Sequence, residues 1–189
     1  MRTLLIRVCV MTFVAATGLV GSVSTAQAAP LLLGQTVEYQ YLFNTINTNY
    51  GNAANGNYVV GAGVEVNNIA DGRGTLDISD TNLFVDYANA SSWNGAAFNG
   101  FRITDINGTI PGFTGVTINA ATNLVGFDAS RISFDADHIW VNWQGLAFNA
   151  NTVVSLDLQG AAAVPEPTSM LLLGSGLAFV ARRRRQRRA

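Results

Sequence analysis

The sequence predicts an all-β domain, an antiparallel β-sandwich or jelly roll, flanked by two segments of a different kind. Three observations predict it. Between residues 31 and 160 apolar side chains alternate with polar ones at the two-residue period of a strand. Gly- and Asn-rich breakers separate these runs. No stretch in that span carries a helical stripe long enough to compete.

The runs can be taken in order. In "TVEYQYLF", Val37, Tyr39, Tyr41 and Phe43 share one face and Glu38 and Gln40 take the other. In "NYVVGAGVEV", Tyr58, Val60, Ala62, Val64 and Val66 share a face, and Gly61 and Gly63 predict a bulge or a close backbone approach. "TLDIS" turns Leu76 and Ile78 inward, and "NLFVDY" does the same with Leu83, Val85 and Tyr87. "RISFDA" sets Ile132, Phe134 and Ala136 against Arg131, Ser133 and Asp135. "IWVNW" sets Ile139, Val141 and Trp143 against Trp140 and Asn142, and "VVSLDLQ" closes the series with Val154, Leu156 and Leu158. The breakers are "NYGNAANGN", "ADGRG", "SSWNG", Asn107-Gly108 and Pro111-Gly112. About nine or ten short strands follow from this spacing. Phe101, Phe113, Phe127, Phe134, Trp143 and Phe148 are the expected large core residues. A domain of this length can bury a core without disulfides. No unit recurs three times, as a solenoid requires, and no Thr-x-Thr ladder appears.

Charge divides the chain into three zones. Residues 1–28 carry Arg2 and Arg7 and no acid. Residues 29–164 carry three arginines against eleven acids, a net charge of −8. Residues 165–189 carry six arginines against Glu166 alone, and the chain has no lysine. An acidic module therefore stands between two basic, apolar ends.

The first zone reads as a secretory signal peptide over residues 1–28. Arg2 and Arg7 form the positive region, "VCVMTFVAATGLVG" the apolar one, and "AQA" the small-x-small cleavage site. Ala26 and Ala28 are the small residues before the cut, and Ala29 begins the mature chain. The one cysteine, Cys9, falls in the removed segment, so the mature protein is expected to hold no disulfide and no thiol chemistry. The β-sandwich domain is then expected over residues 29–163.

The last zone, residues 164–189, joins a Pro-Glu-Pro knot to an apolar run and an arginine cap. Thr168–Ala181 would make a helix of roughly 21 Å at about 1.5 Å per residue. A bilayer core is about 30 Å thick, so the segment is short for a permanent span. Arginines after it recover length by snorkelling and hold the C-terminus, residues 182–189, in the cytoplasm. The order of apolar segment then positive cap predicts a single transmembrane helix over residues 168–181. An arginine run can also bind nucleic acid, but an apolar helix fused to it in an exported chain argues against that.

Val164, Pro165, Glu166 and Pro167, the Leu/Gly-rich segment and Arg182, Arg183, Arg184 and Arg185 resemble the PEP-CTERM sorting signal in order and position. The resemblance implies a Gram-negative bacterium whose envelope sorting protease, an exosortase, acts near the Pro-Glu-Pro motif. It implies transient anchoring in the inner membrane and delivery to the cell surface, outer envelope or extracellular matrix. It also implies an association with exopolysaccharide and biofilm. The same tail is also labelled an ice-binding-protein C-terminal segment, which describes the tail and not the domain.

The middle zone offers little catalytic chemistry. His138, the only histidine, has Asp135, Asp137, Ser130 and Ser133 nearby, but no nucleophile-elbow pattern. It reads as a turn histidine between strands. Zinc has no ligand set, with one histidine and no mature cysteine. Calcium is the better inorganic candidate, through Asp128, Asp135 and Asp137, with Asp71, Asp77 and Asp80 as a second group. Neither group matches a calcium-loop pattern, so no metal or other cofactor is expected. Trp93, in a Ser/Asn/Gly loop, and Trp140, beside Asn142 and Gln144 on a polar face, are candidate carbohydrate contacts. Burial of Trp140 under a second sheet or a loop is the competing reading. The expectation is a non-enzymatic envelope or matrix protein. The alternatives are a lectin-like carbohydrate-binding module and a hydrolase of matrix polysaccharide, which would need paired carboxylates.

Overall fold

A computed structural model describes residues 29–161. The expected signal peptide and the expected transmembrane helix at 168–181 lie outside those residues. Among the described residues no helix is long and apolar enough to cross a membrane.

The domain is all-β and antiparallel. Its strands are β1 (Thr36–Phe43), β2 (Gly56–Val59), β3 (Val64–Val66), β4 (Gly74–Ile78), β5 (Asn82–Tyr87), β6 (Ser91–Ser92), β7 (Asn99–Asp105), β8 (Phe113–Ile118), β9 (Ile132–Phe134), β10 (His138–Asn142), β11 (Ala147–Phe148) and β12 (Val153–Gly160). One sheet has the order β2-β1-β7-β10-β9, the other β3-β4-β5-β12-β8, and β6 and β11 form a small ribbon. The only helical element among the described residues is a 3₁₀ turn at Ala129–Arg131.

Both sheets turn their apolar faces onto one core. The first contributes Val37, Tyr39, Phe101, Ile103, Ile139 and Val141; the second contributes Leu76, Ile78, Leu83, Val85, Val154 and Leu156. The alternation follows from the strand pleat, which sends successive side chains to opposite faces. The Tyr39 hydroxyl donates to the Ile69 carbonyl at 2.7 Å, joining β1 to the segment between β3 and β4. This two-layer packing is that of a sandwich; the strand order adds no support for the jelly-roll alternative.

Two expectations are corrected. "NYVVGAGVEV" is not one strand with one face. It breaks at Gly61–Gly63, where Gly63 has φ +97°, and β2 and β3 join different sheets. Val60 and Val66 are buried, but Val64 is exposed. The glycines make a corner rather than a bulge within a strand, and β3 carries its own register shift between Val64 and Val66. Phe134 is not in the core: it is 42% exposed, and Ala136 is exposed too. β9 is a three-residue edge strand with no partner beyond it among the described residues, so its alternation does not report burial on both sides. Phe127 is only partly buried against the core, whereas Phe101, Phe113, Trp143 and Phe148 are in it.

The register gives the sandwich two distinct ends. Gly74 pairs with Tyr87, Val153 with Asp86 and Phe43 with Asn99. That end collects Tyr41, Tyr87, Trp93, Phe101, Trp143 and Phe148. Tyr87 stacks on Phe148 at 4.2 Å between ring centroids, and Trp93 on Trp143 at 6.0 Å. The opposite end holds both limits of the described chain. Leu32 and Leu33 donate their N–H groups to Asp80, Leu31 lies against Gly160, and Ala161 donates to the Gly112 carbonyl. The eight residues of β1, at about 3.4 Å each, separate the two ends by roughly 24 Å.

Candidate functional site

The aromatic end opens into a cleft of about 120 Å³. Tyr41, Trp93 and Asn99 are its buried members; Phe43, Tyr50, Asp71 and Arg73 are more exposed. Each is positioned by local backbone chemistry. After β1 the chain turns at Asn44, whose φ is +77°, and returns so that the Tyr50 N–H donates to the Tyr41 carbonyl at 2.8 Å. Tyr50 is thereby set edge-on to Tyr41 (6.0 Å) and to Phe43 (5.9 Å).

Asp71 and Arg73 come from the hairpin between β3 and β4. The Arg73 N–H donates to the Ala70 carbonyl at 2.9 Å, and Asp71 and Gly72 have φ +51° and +63°. Positive φ at both central residues defines a type I′ turn, which Asp-Gly favours because its twist matches that of the flanking strands. The left-handed conformation of Asp71 is thus what the hairpin requires. Trp93 is held by paired backbone bonds, its N–H to the Leu146 carbonyl and the Gly145 N–H to its own carbonyl. Asn99 opens β7, its N–H donating to Asn142 Oδ1 at 3.1 Å.

A hydrogen-bond chain runs from the core into the cleft. Trp143 Nε1 donates to the Tyr41 hydroxyl (3.0 Å), which donates to Asn99 Oδ1 (2.7 Å), whose Nδ2 donates to the Asn94 carbonyl (3.0 Å). Trp93 Nε1 donates to the Tyr87 hydroxyl at 3.2 Å. Burial pushes the Tyr41 and Tyr87 phenols well above their ordinary range, so both stay neutral. Nearer solvent, Asp71 Oδ1 accepts from the Tyr50 hydroxyl at 2.8 Å and from Asn52 Nδ2 at 2.5 Å. The bond to Asp71 raises the Tyr50 phenol too.

Two groups in the cleft keep capacity for a ligand. Asp71 Oδ2 accepts no hydrogen bond from the described residues. Arg73 is held by one long bond, Nη1 to Asn89 Oδ1 at 3.4 Å. The other two arginines of the domain are engaged more fully. Arg102 pairs with Glu38 at 3.7 Å and with Gln40, and Arg131 donates to the carbonyls of Gly126 and Gln144. The cleft therefore combines aromatic rings, amides, one carboxylate acceptor and one guanidinium donor. Among its lining residues Asp71 is the one acid, so it lacks the carboxylate pair of glycoside hydrolysis.

The sequence-derived site residues are not brought together. Trp93 is 6% exposed, a core aromatic that reaches the cleft rather than an open loop platform. Trp140 lies on the outer face of the first sheet, opposite Arg102 and Ser133, its ring stacked on His138 at 5.0 Å. It is half-buried, and its Nε1 is shielded without a partner among the described residues. Since Trp93 and Trp140 sit on opposite sides of one sheet, they cannot form one platform. Asn142 Oδ1 is occupied by the N–H groups of Asn99 and Gln144, a structural duty. Gln144 lies beside it, half-buried, and its carbonyl accepts from Arg131.

Asp128, Asp135 and Asp137 do not converge either. Among the described residues there is no group of three metal-ligating side chains. β9 lies between Asp128 and the other two. Asp128 Oδ1 caps the 3₁₀ turn, accepting from Ser130 N and Oγ, and these bonds hold its carboxyl below the usual range. Asp135 Oδ1 accepts from the N–H groups of Asp137 and His138 and faces His138 Nδ1 at 2.9 Å. Partial burial pushes the Asp135 carboxyl up, but these bonds and the nearby imidazole bring it below the ordinary value. No serine hydroxyl bonds the His138 ring among the described residues. Ala26 and Ala28, Val164 to Pro167 and Arg182 to Arg185 lie outside the described residues; Ala29 is exposed at their start.

Sequence reasoning missed Phe43, Tyr50, Arg73 and Asn99 as cleft residues and read Asp71 only as a weak calcium candidate. Their turns were visible, but the meeting of three distant segments was not.

Fold and site together define an all-β domain with a small aromatic cleft at one end. The particular identity comes from beyond the domain: residues 163–185 match the family model of the PEP-CTERM protein-sorting motif, so the chain carries that sorting signal. The motif indicates a secreted protein sorted through exosortase, exported to the cell envelope or surface. No curated protein and no solved structure matches the chain.

Proposed function

We propose that this is a non-enzymatic protein of the Gram-negative cell envelope or extracellular matrix, associated there with exopolysaccharide. Residues 1–28 are removed on export. Residues 168–181 hold the chain in the inner membrane until the sorting enzyme acts near Pro165-Glu166-Pro167, and Arg182 to Arg185 keep the end of the chain cytoplasmic. The observation that carries the reading is the sorting motif at 163–185 behind an all-β domain whose cleft offers rings and hydrogen-bonding groups around a lone carboxylate.

Intact-mass measurement of the protein recovered from medium and outer envelope tests the route. A chain beginning at Ala29 and ending near Pro167, cosedimenting with the exopolysaccharide fraction, supports it. A mass that still includes Ala189 contradicts processing. A lectin-like role is the second reading, favoured by Asp71 and Arg73 standing beside Tyr50 and Trp93 in the cleft. The hydrolase alternative loses support at this cleft because it has no second acid.

A further inference from the structure

We propose that the cleft binds a single neutral sugar ring, presented at the end of the sandwich opposite the limits of the described chain. The inference rests on the second, lectin-like reading of the domain and names the ligand of that module.

Size comes first. The cleft's volume of about 120 Å³ lies well below the roughly 300–1,000 Å³ of pockets that take a drug-sized ligand. It suits one small ring, a terminal or branching residue, rather than a stretch of polymer. Chemistry comes next. A pyranose has an apolar face and a rim of hydroxyls that both donate and accept. Tyr50, Phe43 and Trp93 supply aromatic surface. Asp71 Oδ2 accepts from a hydroxyl, and the Arg73 guanidinium donates to one. Asp71 Oδ1 is already oriented by Tyr50 and Asn52, so the carboxylate is preorganised.

Charge decides the class. Asp71 and Arg73 balance within the cleft, while the domain as a whole carries −8. An anionic sugar would meet one cation beside one anion on an acidic body, and long-range repulsion opposes its approach. A neutral ring meets neither obstacle. Position then follows from the register. The described chain runs toward the sorting motif from Ala161, roughly 24 Å from the cleft along β1. The cleft thus lies at the end opposite the point where the described chain stops.

The test titrates the full chain, in mild detergent, with methyl glycosides of glucose, galactose, mannose and N-acetylglucosamine. Methyl glucuronide is the anionic control, and binding is read by calorimetry and tryptophan fluorescence. At least one neutral glycoside is expected to bind more tightly than the glucuronide. Asp71→Asn keeps a residue that tolerates the left-handed turn. It and Arg73→Gln are each expected to weaken binding by about tenfold or more, the change carried by a hydrogen bond to a charged group, with the cooperative thermal transition kept. Absence of binding to every neutral glycoside overturns the proposal, as does tighter binding of the glucuronide or unchanged affinity in both variants. Failure of the envelope reading registers separately, in the recovered mass and fraction, and does not alter this titration.

Discussion

The two ends of the sandwich are built from the same strands but from different residues. At the cleft end Tyr41, Tyr87, Trp93, Trp143 and Phe148 pack ring on ring, and their polar atoms form a hydrogen-bonded chain that reaches the surface. At the end where the described chain closes, Leu31, Leu32, Ile78, Leu83 and Leu158 form an aliphatic plug, and the carboxylates of Glu65, Asp80 and Asp105 around it accept from backbone N–H groups. Aliphatic packing needs only volume, whereas rings with buried N–H and O–H groups need partners in fixed places. The cleft end is therefore the specified end, and the plug is the generic one.

The sharpest way to break the comparison is at Gly100. It pairs with Asn142, and a Cβ there would lie 1.8 Å from the Val141 carbonyl oxygen. Gly100→Ala must push the backbone of β10 at Val141 and Asn142 away from β7, and the protein is expected to lose its cooperative thermal transition. Next comes Trp143→Ala, which empties the centre of the ring cluster and takes the donor from the Tyr41 hydroxyl. A loss of about 3–5 kcal/mol is expected in denaturant unfolding. Leu83→Ala in the plug should cost about 2–5 kcal/mol but leave glycoside affinity unchanged.

Smaller effects separate binding from stability. The Tyr50 phenol is raised by its bond to Asp71, so the neutral form is the favoured one. The stability from this bond is complete below the ordinary tyrosine value and is lost as pH rises through the raised one. Asp71→Asn should therefore shift one tyrosine of the ultraviolet titration back toward its usual pKa of about 10. The smallest effect concerns Asp77, whose carboxyl is raised by partial burial and by Glu65. The folded state binds the proton more tightly than the unfolded one, so this group's contribution falls as pH rises between the two values. Asp77→Asn should raise the melting temperature slightly at neutral pH and leave it unchanged at acid pH.

The fold was largely legible because β4, β5 and β10 keep strict alternation, and β1 and β12 depart from it only where Leu42 and Ser155 are buried out of phase and Phe43 lies more open. Alternation failed where a strand lies at an edge, as at Phe134, or changes sheet, as at Gly61–Gly63. The two-residue strands β6 and β11 are too short to carry a period at all. The cleft was not legible for another reason. Its residues come from positions 41–50, 71–73 and 92–99, joined only by the pairing of β1 with β7 and the packing of one sheet on the other. A lone tryptophan flanked by Ser and Asn marked one of those segments, but nothing local to the other two announced that they meet it. The sorting motif is the reverse case: its residues are contiguous, and it was read in full from the sequence.

The most direct test of the account is a backbone-amide chemical-shift map of the folded chain titrated with the neutral glycoside that binds best. Shifts confined to residues 41–50, 71–73 and 92–99, with Leu31–Gly34, Asp80, Gly112 and Gly160 unmoved, are the predicted result. Shifts centred on the closing end, on the outer face around Trp140, or nowhere at all would contradict it.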